Sequence, residues 1–137
     1  MKLLFTNARV IDGKGGAWTG HVCVDGRTIA AAGSGAPALH AFEGFERVDL
    51  GGMTLTPGFI DCHVHLRSDG DPDPRAQVLS DTDGLVALRC AANARRTLEA
   101  GITTIRDCGC TKHLDFALRK AVAQGLVKAP RLVLSGE

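Results

Sequence analysis

The stretch Gly58-Phe59-Ile60-Asp61-Cys62-His63-Val64-His65-Leu66 places two histidines two positions apart within an otherwise apolar run. In an extended strand, side chains at i and i+2 lie on one face, roughly 6 to 7 Å apart along the backbone. His63 and His65 can therefore bind one metal ion, and Asp61 shares their face. The opposite face is predicted to pack and carries Ile60, Cys62, Val64 and Leu66.

Metal coordination explains why polar side chains occupy one face of a strand that is otherwise apolar. Neutral imidazole binds zinc, nickel, cobalt or iron, and its other ring nitrogen needs a carboxylate or carbonyl partner. Asp61 is the candidate for that partner. The spacing does not choose the metal, and two histidines satisfied by hydrogen bonds at a strand end are the structural alternative.

These residues resemble the amidohydrolase superfamily, whose members carry His-x-His at the end of the first barrel strand after a Pro-Gly-Phe/Leu-Ile-Asp stretch. Here the motif reads Thr56-Pro57-Gly58-Phe59-Ile60-Asp61-Cys62-His63-Val64-His65. Two later stretches are similar to the second and third barrel strands of that family, namely 101–107 (GITTIRD) and 129–136 (APRLVLSG). The branch that the chain resembles most is the imidazolonepropionase-like and prolidase-like group of metal-dependent hydrolases.

The resemblance implies an α/β fold in two parts. Residues 57–137 are expected to form the N-terminal portion of a (β/α)8 TIM barrel, the first βαβαβ units, and residues 1–56 the N-terminal part of a small β-sandwich domain. A complete barrel takes about 250 residues, whereas the chain has 137. We therefore expect the N-terminal section of an enzyme, either shortened or completed by a second polypeptide.

Short β patterns separated by glycines fill the first part of the chain. Residues 3–10 predict a strand, and residues 22–30 predict a hairpin that turns at Asp25-Gly26. Residues 47–50 and 53–56 predict a further pair of strands around a Gly-Gly turn. The Gly- and Ala-rich residues 31–45 are expected to form a mobile loop.

The second part alternates strand and helix patterns. Residues 67–83 predict a loop over the catalytic face, and its five aspartates lack the Gly and Glu positions of an EF-hand, which argues against a calcium site. A helix is predicted with Thr82 or Asp83 as N-cap and Gly101 just past its end, and a second helix from Thr111 to Gly125. The first helix is predicted to pack through Leu85, Leu88, Ala91, Ala92 and Leu98. The order β, α, β, α, β is typical of a right-handed parallel unit.

The metal ligands predicted within the chain are His63 and His65, and no catalytic residue is assigned. Asp61, Arg106 and Asp107 are candidates to orient a ligand or to contact substrate, since strand ends converge at the catalytic face. The resemblance implies one or two divalent ions, zinc first, with the remaining ligands outside this chain. It also implies hydrolysis of a small amide, a dipeptide or an N-acyl amino acid by a metal-activated water. The isolated 137-residue chain is expected to be inactive.

Composition indicates a soluble globular protein without a nucleic-acid or membrane partner. Sixteen basic and fifteen acidic residues are interspersed, with a formal net charge of +1. The five cysteines are odd in number and scattered, which favours reduced thiols and the cytoplasm. Cys108, Cys110 and His113 could bind zinc, but a turn is favoured at these residues.

Two alternatives belong to other classes of protein. The first is a non-catalytic metal-binding or interaction fragment that must assemble with another chain, whereas the complete enzyme is expected to be a homo-oligomer. The second is a flavodoxin-like domain, which requires a Gly-rich phosphate loop after its first strand. The residues His63-Val64-His65 stand where that loop belongs, which argues against this fold.

Overall fold

The structure is a computed structural model that describes residues 1–70, 72–73 and 79–137. These residues separate into two compact units, Met1–Pro57 and Gly58–Glu137. The division falls within the Pro57-Gly58 dipeptide, where the sequence predicts a change from short β patterns to a barrel strand. The interpretation of the two units as a flanking domain and a barrel portion stays a prediction.

The first unit contains one five-stranded sheet. Its strands are β1 (Lys2–Ile11), β2 (Ala17–Asp25), β3 (Thr28–Ser34), β4 (Glu46–Asp49) and β5 (Thr54–Leu55). The order is β3-β2-β1-β4, and β5 also pairs with β1. A β-sandwich requires two sheets that face each other. The described residues of the first unit form one sheet, so the β-sandwich stays a prediction.

The predicted hairpin is present, and the loop predicted after it is partly replaced by strand and 3₁₀ helix. Asp25 pairs with Thr28 across a turn in which Gly26 has φ +61°, a conformation that glycine adopts at low cost. The prediction of a loop over residues 31–45 was wrong for residues 31–34 and 39–42, and the mobility of the rest stays a prediction. Strand β3 continues to Ser34, because β2 is long enough to pair with it, and a 3₁₀ helix follows at Leu39–Phe42.

Strands β4 and β5 do not pair with each other as predicted. Both run parallel to β1, first β4 and then β5 along the same edge. Gly51 and Gly52 have positive φ values, and their turn is held by the Gly52 N–H, which donates to the carbonyl of Asn7. The turn therefore shifts the chain along β1 instead of reversing it, which the Gly-Gly signal alone does not specify.

The described residues of the second unit contain a three-stranded parallel sheet and two helices of ten or more residues. Its elements are β6 (Phe59–Val64), α1 (Asp83–Glu99), β7 (Ile102–Asp107), a 3₁₀ turn (Thr111–His113), α2 (Leu114–Ala123) and β8 (Arg131–Leu134). The sheet order is β6-β7-β8, with both pairings parallel. This arrangement confirms the predicted βαβαβ order. The Thr82 hydroxyl accepts the Leu85 N–H and caps α1 as predicted.

The core of the second unit lies between the sheet and the helices. Ile105, at the centre of β7, is completely buried. The predicted packing face of α1 was wrong at Leu88, which is 71% exposed, whereas Ala91 packs against the core as predicted. The buried stripe of that helix is Val86, Cys90 and Ala94. These small residues recur every four positions and allow the helix to approach the sheet closely, while the larger leucines lie on the outer face.

The predicted packing face of β6 is only partly covered. Val64 and Leu66 contact the core, but Ile60 is 67% exposed and Cys62 is exposed as well. The helices pack against β7 and β8, and β6 is an edge strand of the described sheet. The first half of β6 therefore has no helix over it among the described residues.

The predicted loop over residues 67–83 falls partly on residues 71 and 74–78, which lie outside the described residues. Asp69, Asp81 and Asp83 of this loop form ion pairs in the described part, the first two with Arg89 and the third with Lys112. In the described parts of the chain, none of the helices has both the length and the apolar character required to span a bilayer.

Candidate metal centre

His63 and His65 lie together at the carboxyl end of β6, with both side chains exposed. Their ring centroids are 5.3 Å apart and the ring planes are inclined at 72°. Two imidazoles that bind one tetrahedral ion, each through a nitrogen at about 2.1 Å, place their centroids roughly 5 Å apart. The observed separation fits a shared ion.

The two histidines follow an irregularity in the strand pairing. Asp61 pairs with Ile105 and Val64 with Asp107, so three residues of β6 span two residues of β7. Such a bulge bends the strand and changes the direction in which its side chains point, and bulges are frequent beside active sites. The extra residue lies at Cys62 or His63, at the first predicted ligand.

The ring of His65 has a polar partner on the next strand-to-helix connection. Its Nδ1 lies 3.4 Å from the carbonyl oxygen of Gly109. A carbonyl can only accept a hydrogen bond, so this contact requires a proton on Nδ1. In the neutral ring Nε2 then carries the lone pair that a metal ion needs.

The three other predicted site residues, Asp61, Arg106 and Asp107, differ in burial and in hydrogen-bond partner. Asp61 Oδ1 accepts the backbone N–H of His63 at 3.0 Å, so its carboxylate holds the strand rather than a histidine ring. Arg106 is exposed, whereas Asp107 is completely buried. Because side chains alternate along a strand, Arg106 and Asp107 point to opposite faces of β7 and do not act as a pair.

Asp107 lies directly behind the candidate site, close to His65. Burial raises the pKa of its carboxyl above the ordinary value; the nearby Asp115 adds to the increase, and the Gly109 N–H and His65 oppose it. Asp107 Oδ1 accepts the Gly109 N–H at 3.3 Å, and Oδ2 has no hydrogen-bond donor among the described residues. The carboxyl thus connects the core of the unit to the loop that touches His65.

A cleft of about 580 Å³ opens beside His65. Its volume falls within the range of small-molecule sites. The polar lining residues are His65, Arg67, Ser68, Asp81, Asp83, Arg89, Thr111 and Lys112, and the apolar ones are Leu79 and Val86. The walls therefore present both charges and suit a small polar ligand.

Helix α1 holds the chain segment that follows β6. The side-chain amide of Asn93 donates to the carbonyls of Leu66 and Ser68, each at 2.9 Å. Arg89 contacts Asp81 at 2.6 Å and donates to the carbonyl of Arg67 at 3.4 Å. Neither Asn93 nor Arg89 was among the predicted site residues, because the sequence predictions for α1 concerned only its cap and its apolar packing face.

The alternative zinc site is not assembled. Cys110 is buried, and its thiol forms a hydrogen bond with the thiol of Cys90. This hydrogen bond and burial raise the pKa of Cys90, so the Cys90 thiol stays protonated. The His113 ring packs against Phe116, with centroids 5.6 Å apart. Among the described residues, no three or more His, Cys, Asp or Glu side chains lie close enough to hold one ion. His63 and His65 are thus two candidate nitrogen ligands, and the described residues do not add a third to them.

A family model and several known proteins match parts of the chain. The model of the Amidohydrolase family matches residues 54–137. The 5-methylthioadenosine/S-adenosylhomocysteine deaminase of Desulforudis audaxviator (strain MP104C) is 42% identical over 65 residues, which are 47% of this chain and 15% of the deaminase. The imidazolonepropionase of Roseobacter denitrificans (strain ATCC 33942 / OCh 114) is 36% identical over 74 residues, which are 50% of this chain and 19% of that enzyme.

A solved structure extends the similarity over the whole chain. A Xaa-Pro dipeptidase with bound methionine in the active site superposes with a TM-score of 0.82 and 26% identity, covering 100% of this chain and 34% of the dipeptidase. The chain thus spans between 15% and 34% of the lengths of these three proteins.

Proposed function

The chain belongs to the amidohydrolase family, and on this premise we propose that it supplies the first metal ligands, His63 and His65, of a hydrolase that cleaves a small amide. The substrate classes are a dipeptide, an N-acyl amino acid or a related compound with a C–N bond. The metal is divalent, zinc first, with one or two ions bound. The remaining ligands come from outside the described residues.

The observation that supports the proposal is the pair of exposed imidazoles at the end of β6, with centroids 5.3 Å apart. A divalent ion in this position lowers the pKa of a bound water and polarises a carbonyl group. Asp61 holds the strand backbone that carries His63, and α1 holds the segment after His65. The ligands are therefore preorganised by their own strand and by the helix behind it.

The cleft beside His65 supports a small polar substrate. Its volume of about 580 Å³ accommodates a dipeptide-sized ligand. Arg67 and Lys112 line it and can neutralise a substrate carboxylate, although Lys112 also binds Asp83. Arg106 projects from the exposed face of β7 and is a further candidate for contact with substrate.

The fold of the complete protein is part of the same proposal. Strands β6, β7 and β8 are the first three strands of a (β/α)8 barrel, and both edges of the described sheet have free pairing positions. The first unit is the beginning of a small β-sandwich. The remaining strands come from the same polypeptide or from a second chain, and the active enzyme is a homo-oligomer in the reducing cytoplasm, which the five free cysteines support.

Metal analysis by plasma mass spectrometry on the full-length protein tests the metal centre. We expect near-stoichiometric divalent metal in the wild type and loss of it in His63→Ala and His65→Ala. His113→Ala is the matched control, since its ring packs against Phe116, and it should keep the metal. Equal metal content in all four proteins would refute the assignment of the ligands.

Substrate class is tested by hydrolysis of a dipeptide and N-acyl amino acid panel with the metal-loaded full-length protein. Release of free amino acid that His63→Ala abolishes would support the proposal. Deamination of an adenosine-type ring is a second candidate, favoured by the 42% identity to a deaminase. Ammonia release from adenosine derivatives without amino acid release would select it.

The non-catalytic alternative is tested in the same preparation by mass and size. A homogeneous species that binds no metal and hydrolyses neither panel would favour an interaction fragment. A second polypeptide that co-purifies with metal and activity would instead identify a split enzyme.

A further inference from the structure

We propose that Gly109 is a positioning residue of the metal centre, whose carbonyl sets the tautomer of His65 so that Nε2 faces the ion. The inference rests on the proposed metal function of His65. It assigns a role to the connection between β7 and α2, from which no ligand is proposed.

The first step is the direction of the hydrogen bond. The Gly109 carbonyl lies 3.4 Å from Nδ1 of His65. Since a carbonyl offers only lone pairs, Nδ1 must be the donor, and neutral His65 then has its free lone pair on Nε2. Metal-binding histidines usually donate their other N–H to a carboxylate, carbonyl or water in this way.

The second step is that the position of this carbonyl is determined by three backbone N–H groups in succession. The Cys108 N–H donates to the Val64 carbonyl at 2.9 Å, and the Cys110 N–H donates to the Gly136 carbonyl at 3.0 Å. Between them, the Gly109 N–H donates to Oδ1 of the buried Asp107 at 3.3 Å. The loop is thus attached to β6, to β7 and to the segment after β8, and it has little freedom to turn its carbonyl elsewhere.

The third step is the requirement for glycine. With both neighbours held, Gly109 adopts φ +139°, which residues with a Cβ rarely adopt. A Cβ at this position would meet its nearest atom, the Gly136 carbonyl oxygen, at 3.9 Å, an ordinary contact. Substitution by alanine is therefore opposed by backbone conformation rather than by a clash, and it should rotate the peptide that holds His65.

The test is titration of metal-free full-length protein with Zn²⁺, for the wild type and Gly109→Ala. We expect the dissociation constant to rise about 10- to 100-fold, the usual effect of losing a partner of a metal-binding histidine. Two variants control for the substitution. Gly125→Ala has the same kind of backbone problem, with φ +73° and open space around it, and Gly84→Ala lies in α1 without positive φ. Both should keep wild-type affinity.

A second measurement decides the point if Gly109→Ala does not fold. Long-range ¹H–¹⁵N NMR of the metal-free wild type, with His65 assigned by comparison with His65→Ala, reports which ring nitrogen carries the proton. A proton on Nδ1 supports the proposal, and a proton on Nε2 alone overturns it.

The outcomes separate this inference from the proposed function. A wild type that binds no Zn²⁺ refutes the metal centre and with it any role of Gly109 toward an ion. A wild type that binds Zn²⁺ while Gly109→Ala binds it equally well overturns only the role of Gly109.

Discussion

Replacement of Ile105 by alanine tests the packing of the second unit most directly. Ile105 is 0% exposed and is the largest of its completely buried side chains. The substitution removes three carbon atoms from between the sheet and the helices, at about 0.8 kcal/mol of transfer free energy each. A residual cavity adds roughly 24 cal/mol per Å³. The expected loss of unfolding free energy is therefore about 3 to 4 kcal/mol.

Leu88→Ala is the matched control for this substitution. It also removes three carbon atoms, but Leu88 lies on the outer face of α1 and is 71% exposed. Only the covered part of the side chain, just under a third, contributes, and no cavity forms, so the expected loss is about 0.7 kcal/mol. The contrast between the two variants tests the corrected packing face of α1.

The assay is urea denaturation of the full-length protein at 25 °C, followed by far-UV circular dichroism. The one tryptophan of the 137-residue chain, Trp18, lies in the first unit, so its fluorescence does not report directly on the second. Comparison requires that the slope of free energy against urea stay the same in all proteins. A loss below about 1.5 kcal/mol for Ile105→Ala, or similar losses for both variants, would contradict the packing described here.

Three further changes have defined outcomes. Asn93→Ala removes two hydrogen bonds to the segment after β6 and should cost about 2 kcal/mol in urea denaturation; an unchanged midpoint would contradict the role of this amide. Asp49 accepts the Gly51 N–H, which chiefly lowers the pKa of its carboxyl below 3.8. The stabilisation from the Asp49 carboxylate is complete above that pH and disappears as the pH falls through the lowered pKa. In acid titrations Asp49→Asn should therefore lose unfolding free energy less steeply than the wild type. Parallel curves of unfolding free energy against pH for the two proteins would contradict this. Gly20→Ala would place a Cβ 2.0 Å from the Gly33 carbonyl oxygen; we expect little folded protein by size-exclusion chromatography, and wild-type yield would contradict the β2–β3 register.

Local signals carried much of the fold. The apolar run of β6, the Thr82 cap of α1 and Gly125 after α2 each act within a few residues, and the structure has the predicted elements at these positions. The His63-Val64-His65 spacing likewise determines that two imidazoles lie near each other, because both belong to one strand. The proximity of the two imidazoles was therefore readable from a short stretch of chain.

Contacts between distant residues were not readable in this way. The Gly-Gly turn permits β4 to pair with β5 or with another strand. Both strands pair with β1, whose edge lies next to the turn in the folded unit. Whether Leu88 or Cys90 faces the sheet depends on how closely the helix approaches, since both positions are apolar. Composition and periodicity describe each segment alone and carry no information about the segments that pack against it in the fold.

The sequence alone determined the family, the order of strands and helices, and the proximity of His63 and His65, since these depend on residues close together along the chain. Tertiary structure was needed to bring Gly109 to His65, 44 positions away, and Asn93 to the carbonyls after β6. It also separated Arg106 from Asp107, because the pleat of β7 directs neighbouring side chains to opposite faces. Partners of a metal ligand are chosen by proximity in space, and proximity arises only when the strands and helices have packed.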